Sequence, residues 1–193
     1  MAERLSFPVP SSSAARGVIP VIPGVFLRPA KTSDLAFLQR LYRRTREREL
    51  AGSGWSEDDK RAFCRAQFTA QHLDYTRRYP LAWFLIVAEG REPIGRLYVD
   101  LSGATLDLID IALLPQRQGQ GIGNRILAAL EQRSRETGAT LALSVVRDNR
   151  RARALYLRRG FEIVEHGATH DAMQWHPTAT AAAEIIEQAG NPR

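Results

Sequence analysis

The chain has 193 residues, 44% hydrophobic and 25% charged, a length for one domain with tails and a composition that excludes disordered and fibrous classes. Lys and Arg exceed Asp and Glu to give a formal net charge of +6, which favours an acidic partner: nucleic acid, anionic lipid or a phosphate-bearing small molecule. The longest apolar runs, 81–88 and 108–115, fall far short of the about 20 residues a membrane helix needs. A lone cysteine, Cys64, forms no intrachain disulfide and suits a reducing compartment. The first ten residues lack a secretory apolar core, so cytoplasmic residence is expected.

Residues 1–23 hold four prolines and a triple serine and read as an extended or disordered N-terminal tail or an arm laid over the domain, outside the core. A short strand follows at 24–28, stopped by Pro29. Leu35, Leu38, Leu41 and Tyr42 recur at helical spacing after Ser33-Asp34, and Phe63, Ala66, Ala70 and Leu73 do so after the Ser56-Glu57-Asp58-Asp59 start signal. Two helices, to about 48 and about 78, are predicted. Within the second, His72 is expected at the surface and Cys64 as a buried thiol.

Apolar segments at 82–89 and 94–101, parted by Gly90-Arg91-Glu92-Pro93, predict a hairpin, and 105–114 a third strand. Next come a helix at 121–137 stopped by Gly138, a strand at 141–146, a helix at 149–159 ended by Gly160, and strands at 161–165 and 169–175. The tail from 177 to 193 carries a weak Ala-rich helix. This order predicts an α/β fold: a mixed sheet with helices on both faces.

The informative segment is Pro115-Gln116-Arg117-Gln118-Gly119-Gln120-Gly121-Ile122-Gly123, between an apolar strand and a helix. Its glycines allow tight turning and expose successive N–H groups, and the helix start adds about half a positive charge, so the loop suits phosphate. No Lys-Ser or Lys-Thr follows, which disfavours a P-loop. The Gly-x-Gly-x-x-Gly fingerprint fails because its last place is Asn124 or Ile126. What fits is Gln/Arg-x-x-Gly-x-Gly/Ala, met by Gln118, Gly121 and Gly123. About 30 residues on, Asn149-Arg150-Arg151-Ala152, Leu155-Tyr156 and Gly160-Phe161 form a second ordered signature.

Together these motifs resemble motif A and the later Asn-x-x-Ala-x-x-Leu-Tyr-x-x-x-Gly-Phe pattern of the GNAT superfamily of acyl-CoA-dependent N-acyltransferases, over residues 25–175. Trp55-Ser56, Gln67-Phe68 and Gln71 are similar to an uncharacterised bacterial subgroup. The resemblance implies a GNAT domain at 24–176 with a mostly antiparallel central sheet. It implies transfer of an acetyl group from acetyl-CoA, as cosubstrate, to a primary amine of a small molecule or protein by direct attack in a ternary complex. It also implies no metal and compatibility with a homodimer.

By the same resemblance, backbone groups of Ile111, Ala112 and Leu113 pair with the pantetheine arm, an N–H near Leu113 meets the thioester oxygen, and Gln118, Gly119, Gln120, Gly121, Ile122 and Gly123 hold the pyrophosphate. Tyr156 is the candidate general acid beside the CoA sulfur, or a core aromatic. Asp107 and Asp110 are the candidate bases. Three apart, they face opposite sides of a regular strand, so at most one serves unless a bulge intervenes; a water relay is the third option. Asn149 binds the cofactor or caps its helix.

One of Arg117, Arg125, Arg150, Arg151, Arg153 and Arg158 is expected to reach the CoA phosphates. Acidic Glu47, Glu49, Glu57, Asp58 and Asp59 either attract a cationic amine or solubilise helix ends. His166 and His170 lie in strand and turn rather than on one helix face, which disfavours a metal pair. Two other readings stay open: a basic nucleic-acid-binding module, disfavoured because aromatics do not interleave the arginines, and a non-catalytic CoA-binding regulator on the same fold.

Overall fold

Among the described residues seven strands form one sheet, in the order β1-β2-β3-β4-β5-β7-β6. The computed structural model describes residues 5–8 and 22–177. The elements are β1 (Phe26–Pro29), α1 (Leu35–Leu50), α2 (Glu57–Arg78), β2 (Trp83–Glu89), β3 (Glu92–Asp100), β4 (Thr105–Leu113), α3 (Ile122–Thr137), β5 (Thr140–Val146), α4 (Arg150–Arg158), β6 (Glu162–His166) and β7 (His170–Trp175). Single 3-10 turns at Thr32–Asp34 and Pro115–Arg117 lead into α1 and out of β4. The C-terminal segment expected to be weakly helical lies outside the described residues. Among the described residues no helix is long and apolar enough to cross a membrane.

Local chemistry sets the boundaries. Ser56 Oγ accepts the Asp59 N–H at the start of α2, and three acidic residues occupy its first turn, where the helix dipole favours them. Gly138 and Gly160 end α3 and α4 with positive φ, the left-handed conformation a side chain resists. All neighbouring strands are antiparallel except β4 and β5.

The sheet has two cores. α3 and α4 cover one face, where Leu106, Leu108, Ile126, Leu130, Leu141 and Tyr156 are buried. α1 and α2 cover the other, over Leu38, Leu41, Phe68, Phe84, Ile86 and Tyr98. Burying each large apolar side chain contributes about 1.5–3 kcal/mol, so helices on both faces are held by the sheet.

Two expectations need correction here. Residues 1–23 are not wholly outside the core: Ile22 is buried against the α3/α4 side, and Leu5 and Phe7 pack on the α1/α2 side. His72 is not at the surface. It is 2% exposed because Phe7 sets its ring edge-on at 4.9 Å and the Ser6 carbonyl accepts from its Nε2 at 2.8 Å.

A candidate acyl-transfer site where two strands part

β4 and β5 pair in parallel only from Thr105↔Thr140 to Leu108↔Leu143. Past that point β5 continues along β7 to Val146 and β4 continues along β3 to Leu113, so a wedge opens between them. The Leu114 N–H donates to the Ile94 carbonyl on β3. Successive amides along a strand alternate between its two edges, so those of Ile111 and Leu113 turn away from β3, into the wedge. The Ala112 amide turns toward β3. Of the three backbone positions expected to meet a pantetheine arm, two offer an amide and Ala112 does not.

The glycine loop closes the wide end of this wedge. Gly119 and Gly121 have φ of 79° and 77°, a conformation nearly free of cost only for glycine. Gln118 donates from Nε2 to the Leu113 carbonyl at 3.0 Å, and Gln120 from Nε2 to the Gln116 carbonyl at 2.8 Å, so both glutamines brace the loop. The N–H groups of residues 119–124, Ile122 and Gly123 included, have no acceptor among the described residues, and Gly121, the N-cap of α3, supplies no side chain. A run of free amides at a helix start is an anion cradle. It fits the pyrophosphate of acetyl-CoA, and the wedge fits an extended arm that pairs with backbone.

The candidate arginines separate by their partners. Arg117 pairs with Glu89 at 3.1 Å and Glu92 at 4.0 Å, and Arg153 with Asp171 at 2.9 Å. Arg151 reaches the loop: its Nη2 lies 3.2 Å from where a Cβ on Gly119 would be. Asn149 caps α4, its Oδ1 accepting the Ala152 N–H at 3.1 Å. This side chain serves the helix.

Tyr156, 7% exposed, belongs to the core on the α3/α4 side and packs against Phe161 with ring centroids 5.6 Å apart. Burial, with the negative charge of Asp110 adding to it, pushes its phenol up to about 12.

The two aspartates do not face opposite sides. Leu108 pairs with Val99 but Asp110 with Tyr98, so Ile109 is an extra residue in β4, a bulge that shifts the alternation by one. Ile109 and Ala112 pack with the α1/α2 core while Leu108 and Ile111 pack with the other; Asp107 and Asp110 therefore both turn to the α1/α2 side. Their surroundings differ. Asp110 accepts from Arg96 Nε at 3.2 Å, Arg96 Nη2 at 2.8 Å and the Tyr75 hydroxyl at 3.2 Å. Asp107 lies opposite Asp100, and burial first, then the Asp100 charge, raises its carboxyl above the ordinary range.

Arg96, 4% exposed, and Tyr75 were not singled out by any sequence motif. Burial works against the Arg96 charge, but Asp110, Tyr98 and Tyr75 together outweigh it and raise the guanidinium. Burial, then the Asp110 charge, also raises the Tyr75 phenol. The acidic residues of α1 and α2 are largely neutralised along their own helices: Arg44 pairs with Glu47, Arg46 with Glu49, Lys60 with Glu57 and Arg61 with Asp58. His166 Nδ1 lies 2.9 Å from Asp171 Oδ1 and His170 Nδ1 2.8 Å from Thr169 Oγ1, so each ring is engaged locally. Cys64 is buried, which raises its thiol.

The profile of the Acetyltransferase (GNAT) family matches residues 37–161. A relative described as Uncharacterized N-acetyltransferase YhfO, from Bacillus subtilis (strain 168), is 30% identical over 143 residues, covering 70% of this chain and 89% of that protein. Among solved structures, the PaiA N-acetyltransferase of Thermoplasma acidophilum in complex with coenzyme A has a TM-score of 0.61 at 20% identity, covering 79% of this chain and 98% of that one. An acetyltransferase from Thermus thermophilus has a TM-score of 0.59 at 20% identity, covering 80% and 98%. With its parted strands and glycine cradle, the chain belongs to the acetyltransferase (GNAT) family, enzymes whose acyl donor is acetyl-CoA.

Proposed function

We propose that the protein transfers an acetyl group from acetyl-CoA to a primary amine of a small molecule or protein by direct attack in a ternary complex. The single observation that carries this reading is the wedge between β4 and β5, with the Ile111 and Leu113 amides on its edge and the free amides of residues 119–124 at its wide end. Acetyl-CoA supplies a thioester carbonyl open to attack and a sulfur leaving group. The loop amides and Arg151 hold its phosphates. The strand amides orient its arm and place a fixed donor where negative charge develops on the carbonyl oxygen.

Asp107 takes the proton from the acceptor nitrogen, directly or through a water, since its carboxylate is already raised toward a useful proton affinity. Asp110 is a poorer choice, because Arg96 and Tyr75 occupy its oxygens. Tyr156, protonated at neutral pH with a phenol near 12, holds a proton at its hydroxyl for the departing sulfur. Burial strengthens the O–H bond as well as fixing it, so transfer follows only as charge builds on sulfur. The basic balance of the chain is used on phosphate, and cytoplasmic residence agrees with its single thiol.

The test is thiol release from acetyl-CoA in the presence of a panel of amines. Amine-dependent release that drops about 10²-fold or more in Tyr156→Phe supports the reading. Absence of both acetyl-CoA binding and thiol release on folded protein overturns it.

A further inference from the structure

Asp110 sits two residues beyond the last β4–β5 pair, and three donors clamp it. Arg96 Nε reaches Oδ1, while Arg96 Nη2 and the Tyr75 hydroxyl reach Oδ2. Arg96 Nη2 also donates to Gln71 Oε1 at 2.8 Å, tying the cluster to α2. A buried ion pair is weak evidence for stability, because apolar residues of the same size hold a core at least as well. Its place beside the open wedge calls for another role.

Two free valences indicate what that role is. A carboxylate has about four acceptor positions. Three are filled, which leaves one on Oδ1. The carboxylate is also the part of the pair nearer the opening, its side chain 12% exposed against 5% for Arg96. Tyr98, the cross-strand partner of Asp110, is 1% exposed, and its hydroxyl, beside the Arg96 guanidinium, donates to no acceptor among the described residues. Its ring stands edge-on to Tyr75 at 6.2 Å and Arg96 lies over it at 5.2 Å. The cluster therefore holds unfilled polar valences around a fixed anion, on the same face as Asp107.

Resting on the acetyltransferase reading above, we propose that Asp110 binds the ammonium form of the acceptor, with Arg96 and Tyr75 as positioning residues that aim its carboxylate. The acceptor class is then an alkyl primary amine, cationic in neutral solution, rather than an aromatic amine or an alcohol. The two aspartates divide the work. Asp110 receives the cation. One N–H bond of the ammonium then breaks, its proton goes to an Asp107 carboxylate oxygen, and the electron pair left on nitrogen becomes the nucleophile.

The experiment measures kcat and KM by thiol release with alkyl amines (n-butylamine, putrescine, lysine methyl ester) and with p-anisidine, which is uncharged at neutral pH. Wild type, Asp110→Asn and Tyr75→Phe are compared, with acetyl-CoA binding followed by calorimetry. The wild type should prefer at least one alkyl amine. Asp110→Asn should raise KM for that amine tenfold or more, a larger factor than any change it makes in the p-anisidine reaction, with acetyl-CoA binding kept. Tyr75→Phe should raise the alkyl-amine KM by a smaller factor with kcat kept, and carries the test alone if the Asn variant fails to fold. A purely structural role would affect both amine classes together, and that result overturns the proposal. So does a wild-type preference for p-anisidine, or turnover of neither class by protein that binds acetyl-CoA. Loss of acetyl-CoA binding in the wild type would instead overturn the acetyltransferase reading itself.

Discussion

Asp107 and Asp110 share a face of the sheet because Ile109 is inserted between the residues that pair with Val99 and Tyr98. The bulge brings two carboxylates of different character to one side, one clamped by Arg96 and one lying opposite another acid, Asp100. An acid whose carboxyl is raised in the folded protein holds its proton more tightly there than in the unfolded chain. It therefore costs stability at neutral pH, and the cost is relieved as pH falls toward its folded value.

Asp107→Asn is accordingly expected to raise Tm at pH 7 while lowering kcat by about 10²-fold or more. Thermal melts and steady-state rates on the same preparation check this. A lower Tm at pH 7, or an unchanged kcat with any amine that is a substrate, contradicts the assignment.

The sequence made the glycine cradle legible because Gly119 and Gly121 occupy positive φ, a conformation that leaves a residue-type signature. The helices and strands were legible from their periods, and the caps Ser56 and Asn149 from their residue type. Arg96 was not. It lies in a strand and finds Asp110 fourteen residues away across the sheet and Gln71 on another helix, a pairing that depends on register rather than local pattern. The bulge at Ile109 involves no glycine and so left no mark. His72 looked like a surface residue because the segment covering it, Ser6 and Phe7, is 66 positions away for the hydrogen bond and belongs to a proline-rich stretch.

Glycines of the loop region should differ in what they tolerate. A Cβ on Gly123 meets nothing within 4 Å, and the residue lies in α3, so Gly123→Ala should stabilise by about 1 kcal/mol through helix propensity and keep acetyl-CoA affinity. Gly121→Ala also meets nothing, but its φ of 77° makes it cost roughly 1–2 kcal/mol and should weaken acetyl-CoA binding by misaligning the amides. Gly95→Ala would put a Cβ 2.4 Å from the Ala112 carbonyl oxygen. Overpacking against backbone predicts a loss of about 1–3 kcal/mol. Denaturant melts and calorimetry with acetyl-CoA distinguish the three, and equal behaviour of Gly121→Ala and Gly123→Ala would remove the conformational argument.

Arg151, beside Gly119, and Arg117, paired with Glu89 and Glu92, give a matched contrast. Arg151→Ala should weaken acetyl-CoA binding about tenfold, or about 1.4 kcal/mol, in keeping with loss of a charge-assisted hydrogen bond. Arg117→Ala should change it little. The difference should shrink at high salt and vanish with S-acetylpantetheine, which lacks the phosphates. An Arg151→Ala defect that persists with S-acetylpantetheine would place the residue elsewhere than on phosphate.

His72 makes stability sensitive to mild acid. Its ring is buried among Phe7, Phe68 and Phe84. The Ser6 carbonyl can only accept, so the proton sits on Nε2 and Nδ1 is left without a partner among the described residues. Desolvation pulls the imidazole below its ordinary value, and the hydrogen bond to Ser6 only partly opposes it. The unfolded chain thus binds a proton at a higher pH than the folded one, so stability is full above about 6.5 and declines as pH falls below it. Protonation would place a second cation near Arg96, which already works against the charge. His72→Phe, which keeps the ring volume, should flatten the Tm–pH curve relative to wild type in the range below about 6.5. Parallel curves across it would show that the imidazole is not the group being titrated.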